Sequence, residues 1–338
     1  MRLKKTINVA LQGGGSHGAF AWGVLDRLLE EPGIGIEGVV GTSSGAMNAA
    51  VAAYGLTIGG NDGARAKLAE FWCAISEAAQ PYLLQPSWLD RSRNLGSLDH
   101  SPGYLFMDML SRFFSPYELN PMNHNPLRDV LSKVIDFDAL RASSKVKLFT
   151  CAANVLTGRL RVFERHEQSA DTVLASACLP SMFQAVEVNG EHYWDGGYMG
   201  NPPIFPLIYN CESRDVVLVM INPIEIDKVP TGARAIMDRI NTLSFNSSLM
   251  REMRAINFVS RLVDDGYDDA GRLKKMLIHC IDAEDQMRAL GASSKLNTTW
   301  EFLMYLHELG RARGEAFLNA HYDKLGRESA TPIAQRFL

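Results

Sequence analysis

A serine that lies between two glycines is the residue of this chain whose neighbours best fit a nucleophile. Ser43 lies at the centre of Gly41-Thr42-Ser43-Ser44-Gly45, which has the pattern G-x-S-x-G. An Ile- and Val-containing run precedes this pentapeptide, and an alanine-rich run over 46–53 follows it. Strand, sharp turn and helix form the context of a nucleophile elbow, where a strained turn pushes the serine hydroxyl out of the sheet. A Cβ at Gly41 or Gly45 would crowd this bend. We therefore predict Ser43 as a nucleophile; the alternative is an ordinary turn with a serine near the helix N-cap.

An oxyanion stabiliser is the second requirement of such a nucleophile. Gly13, Gly14 and Gly15 precede Ser16-His17-Gly18 and a predicted helix over 19–31, so their backbone N–H groups can converge on negative charge. The same G-x-G-x-x-G spelling also fits a dinucleotide-binding turn, which expects an acidic residue at the end of the next strand. Glu37 lies at the beginning of that strand instead. The pattern favours an oxyanion hole at Gly13, Gly14 and Gly15.

A general base is the third requirement, and Asp195 is the first candidate. It ends a predicted hairpin over 185–195 with an Asn189-Gly190 turn, and Gly196 and Gly197 follow it. A free aspartate, with a pKa of about 3.9, is a weak base, so a direct Ser43–Asp195 dyad requires burial of the carboxyl. A Ser-Asp-His order through His279 is the other route, but His279 lies within an apolar run and is predicted to be structural. The bland alternative for Asp195 is a carboxylate that caps turn amides.

The elements that must position these residues alternate between strand and helix. Strands are predicted at 6–12, before Ser43, and at 147–152, 215–221 and 275–281. This order predicts an α/β fold, a three-layer sandwich with a mostly parallel central sheet. Ligands of such sheets bind at the carboxyl ends of the strands, where both glycine-rich turns fall.

Two parts of the chain are predicted: a hydrolase domain over 5–210 and a mostly helical C-terminal part over 211–338, packed on the same sheet. Within the first, 76–125 is predicted as an aromatic-rich insertion, since seven of the 36 residues in 82–117 are aromatic. This segment is either a lid or acyl-chain pocket, or a cap that buries its aromatics for its own stability. Apolar stripes on predicted helices at 232–263 and 299–325 are expected to pack on the domain rather than bind a membrane.

Composition excludes several classes of protein. The net charge of the 338 residues is −4 without a basic run, so neither nucleic acid nor a standing electrostatic membrane anchor is expected. The five cysteines are far apart and predict free thiols in a reducing, cytoplasmic compartment without a metal site. Residues 38–61 are uncharged, but their glycines and polar residues predict a buried strand and helix rather than a membrane span.

Three motifs in fixed order resemble the patatin-like phospholipase family: Gly-Gly-Gly-x-x-Gly, Gly-x-Ser-x-Gly and Asp-Gly-Gly. The resemblance includes an Ala-Ser-x-x-x-Pro segment over 175–183 and Asn201-Pro202-Pro203, and it covers about residues 6–205. It implies a metal-free and cofactor-free Ser–Asp dyad, with Ser43 as nucleophile, Asp195 as base and Gly13–Gly15 as oxyanion hole. The supporting motif residues are His17, Gly18, Gly41, Gly45, Gly196 and Gly197. One departure is His17, where the family usually has Arg or Lys.

The resemblance implies a lipid acyl hydrolase of the phospholipase A or lysophospholipase type. The expected partners are a lipid or other acyl ester and, transiently, a membrane surface touched by the aromatic segment. The alternatives are an esterase, thioesterase or polyester depolymerase, or a non-catalytic lipid-binding or scaffold protein with the same fold. Oligomeric state and the role of 211–338 stay open.

Overall fold

One eight-stranded sheet organises the protein, whose computed structural model describes residues 4–80, 84–93, 96–267 and 271–338. Four neighbouring pairs are parallel and run in the order β3-β2-β1-β7-β8, while β4, β5 and β6 add antiparallel pairs beside β3. The strands are β1 Lys5–Leu11, β2 Ile34–Gly41, β3 Lys147–Asn154, β4 Leu160–Glu164, β5 Val186–Val188, β6 Glu191–Asp195, β7 Asp215–Val219 and β8 Leu277–Ile281.

Helices cover both faces of this sheet. The α-helices are α1 Gly18–Glu30, α2 Ser44–Ala79, α3 Trp88–Arg93, α4 Pro102–Leu110, α5 Pro116–Leu119, α6 Pro126–Val134, α7 Phe137–Ala142, α8 Ala170–Ser176, α9 Phe205–Asn210, α10 Ala233–Asp264, α11 Glu284–Arg288, α12 Trp300–His321 and α13 Ile333–Phe337. Short 3-10 segments lie at Gly15–His17, Arg165–Glu167, Gly196–Tyr198, Ala292–Leu296 and Tyr322–Lys324.

Alternating strand residues divide the core into two layers. Val9 and Leu11 of β1 pack with apolar residues of α1, α2 and α12, whereas Ala10 packs with residues of α9, α10 and α13 on the other face. A strand that is covered on both faces is mostly apolar, and Ile7–Leu11 of β1 are all buried. The one polar residue among these five is Asn8, whose Nδ2 donates to the Ser213 carbonyl oxygen over 2.9 Å. The predicted three-layer α/β sandwich with a mostly parallel sheet is confirmed.

The C-terminal region is part of this sheet. Its strands β7 and β8 pair in parallel next to β1 and so extend the sheet on the side away from β2. The domain limits at 5–210 and 211–338 stay a prediction.

The expected packing of the α10 stripe is wrong for the first half of the helix. Ile236, Ile240 and Leu243 are 40%, 51% and 52% exposed, while Leu249 and Met253 are buried. The start of this half is joined to α4, since Arg234 Nη2 donates to Asp108 Oδ2 over 3.1 Å, and Arg239 Nη2 donates to the Ile224 carbonyl oxygen over 3.0 Å. Within the described residues, its apolar stripe therefore stays exposed.

The crossing of α1 and α12 depends on two glycines. A Cβ on Gly23 would overlap the carbonyl oxygen of His307, and a Cβ on Gly310 would overlap the carbonyl oxygen of Phe20. The two helix backbones are therefore in direct contact. This contact fixes α12, and the 3-10 segment before it, against the helix that begins at Gly18.

Gly310→Ala is expected to destabilise the protein by about 1–3 kcal/mol, because backbone atoms on α1 cannot yield as a flexible side chain would. Gly59→Ala is the matched control, since a Cβ there meets no atom within 4 Å. Within a helix it should stabilise by about 0.5–1 kcal/mol. Thermal or urea unfolding measures both, and equal stabilities of the two variants would contradict the close crossing.

Candidate active site

Ser43 forms a strained elbow between β2 and α2. Its backbone angles are φ 56° and ψ −124°, in a region that residues with a side chain rarely adopt. A Cβ on Gly41 would overlap the carbonyl oxygen of Gly45, and a Cβ on Gly45 would overlap that of Leu11. Both glycines of the motif are thus required by backbone crowding. The Ser43 N–H donates to Ser176 Oγ over 3.0 Å, which helps to hold the turn.

Asp195 lies at the end of β6 and is fully buried. Its backbone pairs with Ala152 of β3. Since β3 in turn pairs with β2, one strand separates Asp195 from the strand that leads to Ser43. Oδ1 accepts the Gly197 N–H over 2.7 Å, so the carboxylate caps its own turn. A Cβ on Gly196 would overlap the carbonyl oxygen of Cys151, which explains why that position carries a glycine.

The Asp195 carboxyl lies beside the Ser43 side chain. Burial raises the pKa of this carboxyl to about 7, and the Gly197 N–H and the Ser43 hydroxyl oppose that rise. Oδ2 nevertheless has no partner within regular hydrogen-bond geometry. The Ser43–Asp195 interaction is therefore a long or bent contact, as is common between catalytic groups when no substrate is bound. Such a carboxyl can take a proton near neutral pH, which an exposed aspartate does poorly.

The glycine loop lies directly against the elbow. A Cβ on Gly13 would be 2.5 Å from Ser43 Cβ and 2.6 Å from the Thr42 carbonyl oxygen. The loop continues into a 3-10 turn that begins at Gly15, where φ is 60°. Only glycine permits both the approach at Gly13 and the backbone conformation at Gly15.

The amides of this loop are not equally available. Gly13 N–H donates to Asn201 Oδ1 over 2.7 Å, and Gly14 N–H donates to Ser44 Oγ over 3.1 Å. The Gly15 N–H has no acceptor within the described part of the chain. This corrects the expectation for Gly13, whose N–H is held by Asn201 and is not free for an oxyanion. For Gly14 and Gly15 the oxyanion role stays a prediction, and it requires the Gly14 N–H to exchange the Ser44 hydroxyl for the oxyanion.

His17 contributes no positive charge to the loop. Burial, with the ammonium of Lys295 nearby, lowers its pKa to about 3. Its Nε2 lies 2.7 Å from Ser294 Oγ, and its ring packs edge-on against Phe302. His17 is therefore a neutral core residue that joins the glycine loop to the segment before α12.

His279 belongs to another part of the sheet. Its Nε2 lies 2.8 Å from Asp215 Oδ1, and its Nδ1 accepts the Ala330 N–H over 3.2 Å. Its carboxylate partner is Asp215 rather than Asp195, so the structure gives no support to the Ser-Asp-His order. The prediction of a structural histidine agrees with these contacts.

Glu37, the residue that the dinucleotide-binding alternative would need, is also engaged elsewhere. It accepts the backbone N–H groups of Glu212 and Ser213 and the ammonium of Lys147. These contacts hold the Glu37 carboxylate away from the carboxyl end of β2, where a ribose would bind.

Sequence reasoning missed the polar side chains that fix the loop. Gln12 accepts the N–H groups of Ile221 and Asn222 and donates to the carbonyl oxygen of Asn201. Asn222 Nδ2 donates to the Gly13 carbonyl oxygen over 2.7 Å. Asn201 and Ser176 lay within segments that the resemblance had marked, so a signal for them existed. Nothing in the sequence pointed to Asn222.

The fold and the site define an α/β protein with a serine at a strand-turn-helix elbow beside a buried carboxylate. A family model described as patatin-like phospholipase matches residues 9–208, more than half of the 338 residues. The chain therefore belongs to the patatin-like phospholipase family. Members of this family are lipid acyl hydrolases, which assigns general lipid acyl hydrolase activity to this protein.

A solved structure of VipD from Legionella pneumophila is similar to this chain at 16% sequence identity and a TM-score of 0.45. The similarity covers 98% of this chain and 72% of the VipD chain. Among curated protein sequences, none matches. Within the described residues, no helix combines the length and the apolar character that crossing a membrane requires.

Asp195→Asn is expected to stabilise the protein at alkaline pH. Folding raises the pKa of this carboxyl to about 7, so between about pH 4 and pH 7 the native state binds the proton more tightly than the unfolded chain. The stability that this group contributes is complete below about pH 4 and is lost as the pH rises through about 7. Asn cannot ionise, so the variant does not lose stability at this position as the pH rises.

Thermal melts at about pH 5 and about pH 8 measure this difference, because the gain in Tm should be larger at the higher pH. Other buried carboxyls, such as Glu252, are common to both proteins and cancel in the comparison. Asp138→Asn is the control, since the Asp138 side chain is 90% exposed. A Tm gain that is equal at both pH values would show that Asp195 is not held with a raised pKa.

Proposed function

We propose that this protein hydrolyses carboxylic esters of lipids, in the manner of a phospholipase A or lysophospholipase, through Ser43 and Asp195. The observation that carries the proposal is a serine with φ 56° next to a buried carboxyl whose pKa is about 7. A strained serine turn and a carboxyl tuned to neutral pH each cost stability, and both are typical of catalytic sites.

The proposed reaction has two halves. Ionised Asp195 takes the proton of Ser43 as Oγ attacks the ester carbonyl, and the N–H groups of Gly14 and Gly15 bind the oxyanion. Collapse of the tetrahedral intermediate expels the alcohol, which receives its proton from Asp195. Asp195 then takes a proton from water as the water oxygen attacks the acyl-enzyme, and it returns that proton to Ser43 Oγ as the fatty acid leaves. No metal or other cofactor enters this scheme.

An exposed apolar surface near the site supports a lipid substrate. We call it the apolar rim, and it comprises exposed side chains of α4, of the chain from α4 through α5 and of the first half of α10. Its members are Leu105, Phe106, Met107, Met109, Phe113, Phe114, Tyr117, Ile236, Met237, Ile240 and Leu243. Because most described aromatics of 82–117 are exposed, this segment does not bury them for its own stability; Tyr82 lies outside the described residues.

Contacts connect the apolar rim to the site. The Arg234 guanidinium lies 5.4 Å from the centre of the Tyr104 ring and so joins α10 to α4. Further along α10, Phe245 lies against Gly197, next to Asp195, and its ring meets Tyr198 edge-on at 5.1 Å. Large apolar patches on soluble proteins commonly mark interaction sites. We propose that the apolar rim touches a membrane transiently while the site takes an acyl ester from it.

A cytoplasmic location is part of the proposal. All five cysteines are free, and Cys151, Cys178 and Cys211 are buried, which suits a reducing compartment.

Ser43→Ala is expected to lower kcat by about 10⁴-fold or more, because the variant has no nucleophile. A fluorophosphonate probe should label wild-type protein at Ser43 and leave the variant unlabelled. His279→Ala is the matched control: it should lower Tm and yet keep labelling, because His279 interacts with Asp215. Loss of labelling in His279→Ala with activity retained in Asp195→Asn would replace the dyad by a triad. A folded wild-type protein that resists the probe would favour the non-catalytic scaffold.

Replacing Phe113 and Phe114 together by Ser is expected to lower turnover of long-chain phospholipid in vesicles. Turnover of a short-chain p-nitrophenyl ester should be unchanged, because the apolar rim serves only substrates in a membrane. Tyr209→Ser is the control: Tyr209 is 78% exposed, and the neighbouring Asn210 contacts Lys147 at the start of β3, away from the carboxyl ends of the strands. A wild-type protein that releases no fatty acid from vesicles but hydrolyses the soluble ester would instead be an esterase, thioesterase or polyester depolymerase.

A further inference from the structure

Lys295 belongs to the C-terminal region and contacts the glycine loop. It lies in the 3-10 segment Ala292–Leu296, far beyond the residues 9–208 that the family model matches. A Cβ on Gly15 would overlap the Lys295 carbonyl oxygen, so the two backbones are in contact. His17 within the loop is neutral, because burial lowers its pKa to about 3. Lys295 thus adds a basic side chain beside this loop.

The Lys295 ammonium reaches the loop through one intermediate residue. Nζ donates to Asn222 Oδ1 over 2.9 Å, and Asn222 Nδ2 donates to the Gly13 carbonyl oxygen over 2.7 Å. That carbonyl belongs to the same peptide group as the Gly14 N–H. A hydrogen bond accepted at the carbonyl polarises the peptide and strengthens its N–H as a donor. The relay Lys295–Asn222–Gly13 thus ends on an amide that we assign to the oxyanion hole.

We propose that Lys295 is a positioning residue of the oxyanion hole: through Asn222 it orients and polarises the Gly13–Gly14 peptide, and its charge favours the oxyanion. This inference rests on the proposed function of Ser43. Lys295 itself touches neither the ester nor Ser43 in this scheme.

Several ionisable groups lie around Lys295. Within the described residues, none of their carboxylates forms a salt bridge with Nζ, which donates to Asn222 Oδ1 instead. The ionisable groups that face it are His17 from the glycine loop and Asp238 from α10, and Arg234, Asp99 and Asp108 surround Asp238. Burial lowers the pKa of Lys295, and the carboxyl of Asp238 opposes that effect. The lysine therefore loses its proton at a lower pH than an exposed lysine does.

Lys295→Met is expected to lower kcat on a neutral short-chain ester by about tenfold or more, a smaller loss than removal of an oxyanion donor itself causes. KM should change by less than about twofold, because the charge acts on the transition state rather than on the bound ester. Lys295→Arg keeps the charge and should retain most of kcat. Lys324→Met is the matched control, since Lys324 pairs with Glu328 and its neighbour Leu325 contacts Lys5 at the opposite end of β1.

The pH profile of kcat separates an electrostatic role from a packing role. Wild-type kcat should fall on the alkaline side as Lys295 loses its proton, and Lys295→Arg should move that fall to higher pH because Arg does not titrate there. The acid limb near pH 7, which reports Asp195, should stay in place in both proteins. Thermal melts establish that each variant is folded.

Two outcomes would overturn the inference. The first is a folded Lys295→Met variant whose kcat equals that of the wild-type protein. The second is a Lys295→Arg variant in which kcat falls at the same alkaline pH as in the wild-type protein. Neither outcome affects the proposed function, which stands or falls with labelling of Ser43 and turnover by the wild-type protein.

Discussion

The contact between two backbone turns is the constraint on which this structure depends. Strands β1 and β2 are parallel neighbours, so the chain leaves both at the same edge of the sheet. The glycine loop after β1 and the elbow after β2 therefore meet, with room for no more than a hydrogen at the Gly13 Cα. Every other feature of the site either permits this approach or fixes it. The glycines permit it, and Gln12, Asn201 and Asn222 fix it through hydrogen bonds.

Asp195 shows how the sheet changes the acidity of a carboxyl group. A carboxylate becomes more basic when burial deprives it of water, but a buried charge lowers stability. The β3–β6 pairing fixes the backbone of Asp195, and the Gly197 amide holds one of its oxygens. The other oxygen, Oδ2, has no regular hydrogen-bond partner within the described part of the chain. The strands thus hold the carboxyl in a buried environment that disfavours its ionised form. The rest of the fold must compensate for this local cost in stability.

The sequence was most informative where a local rule and a motif coincide. The hairpin around Asn189 and Gly190 followed from the turn alone, and both residues adopt the positive φ that such a turn needs. The elbow at Ser43 followed from glycine spacing between a strand and a helix. Strand β4 was missed because Arg161 and Glu164 interrupt its short apolar pattern. The stripe on α10 was misjudged because periodicity identifies an apolar face but does not say what covers it.

Lys295 and Asn222 could not be found in this way, since contacts across about 210 and 280 residues of chain leave no spacing signal. They also show that residues beyond the matched part of the chain contact the glycine loop. The family model ends at residue 208, yet the peptide of Gly13 and Gly14 is held from β7 and from the segment before α12. Gln12 likewise reaches Asn246 of α10. A chain that ended after the matched residues would keep Ser43 and Asp195 but lose Asn222, Asn246 and Lys295, whose side chains hold the glycine loop and Gln12. The C-terminal region therefore contributes side chains to the surroundings of the glycine loop, and one of them, Lys295, lies near the neutral His17.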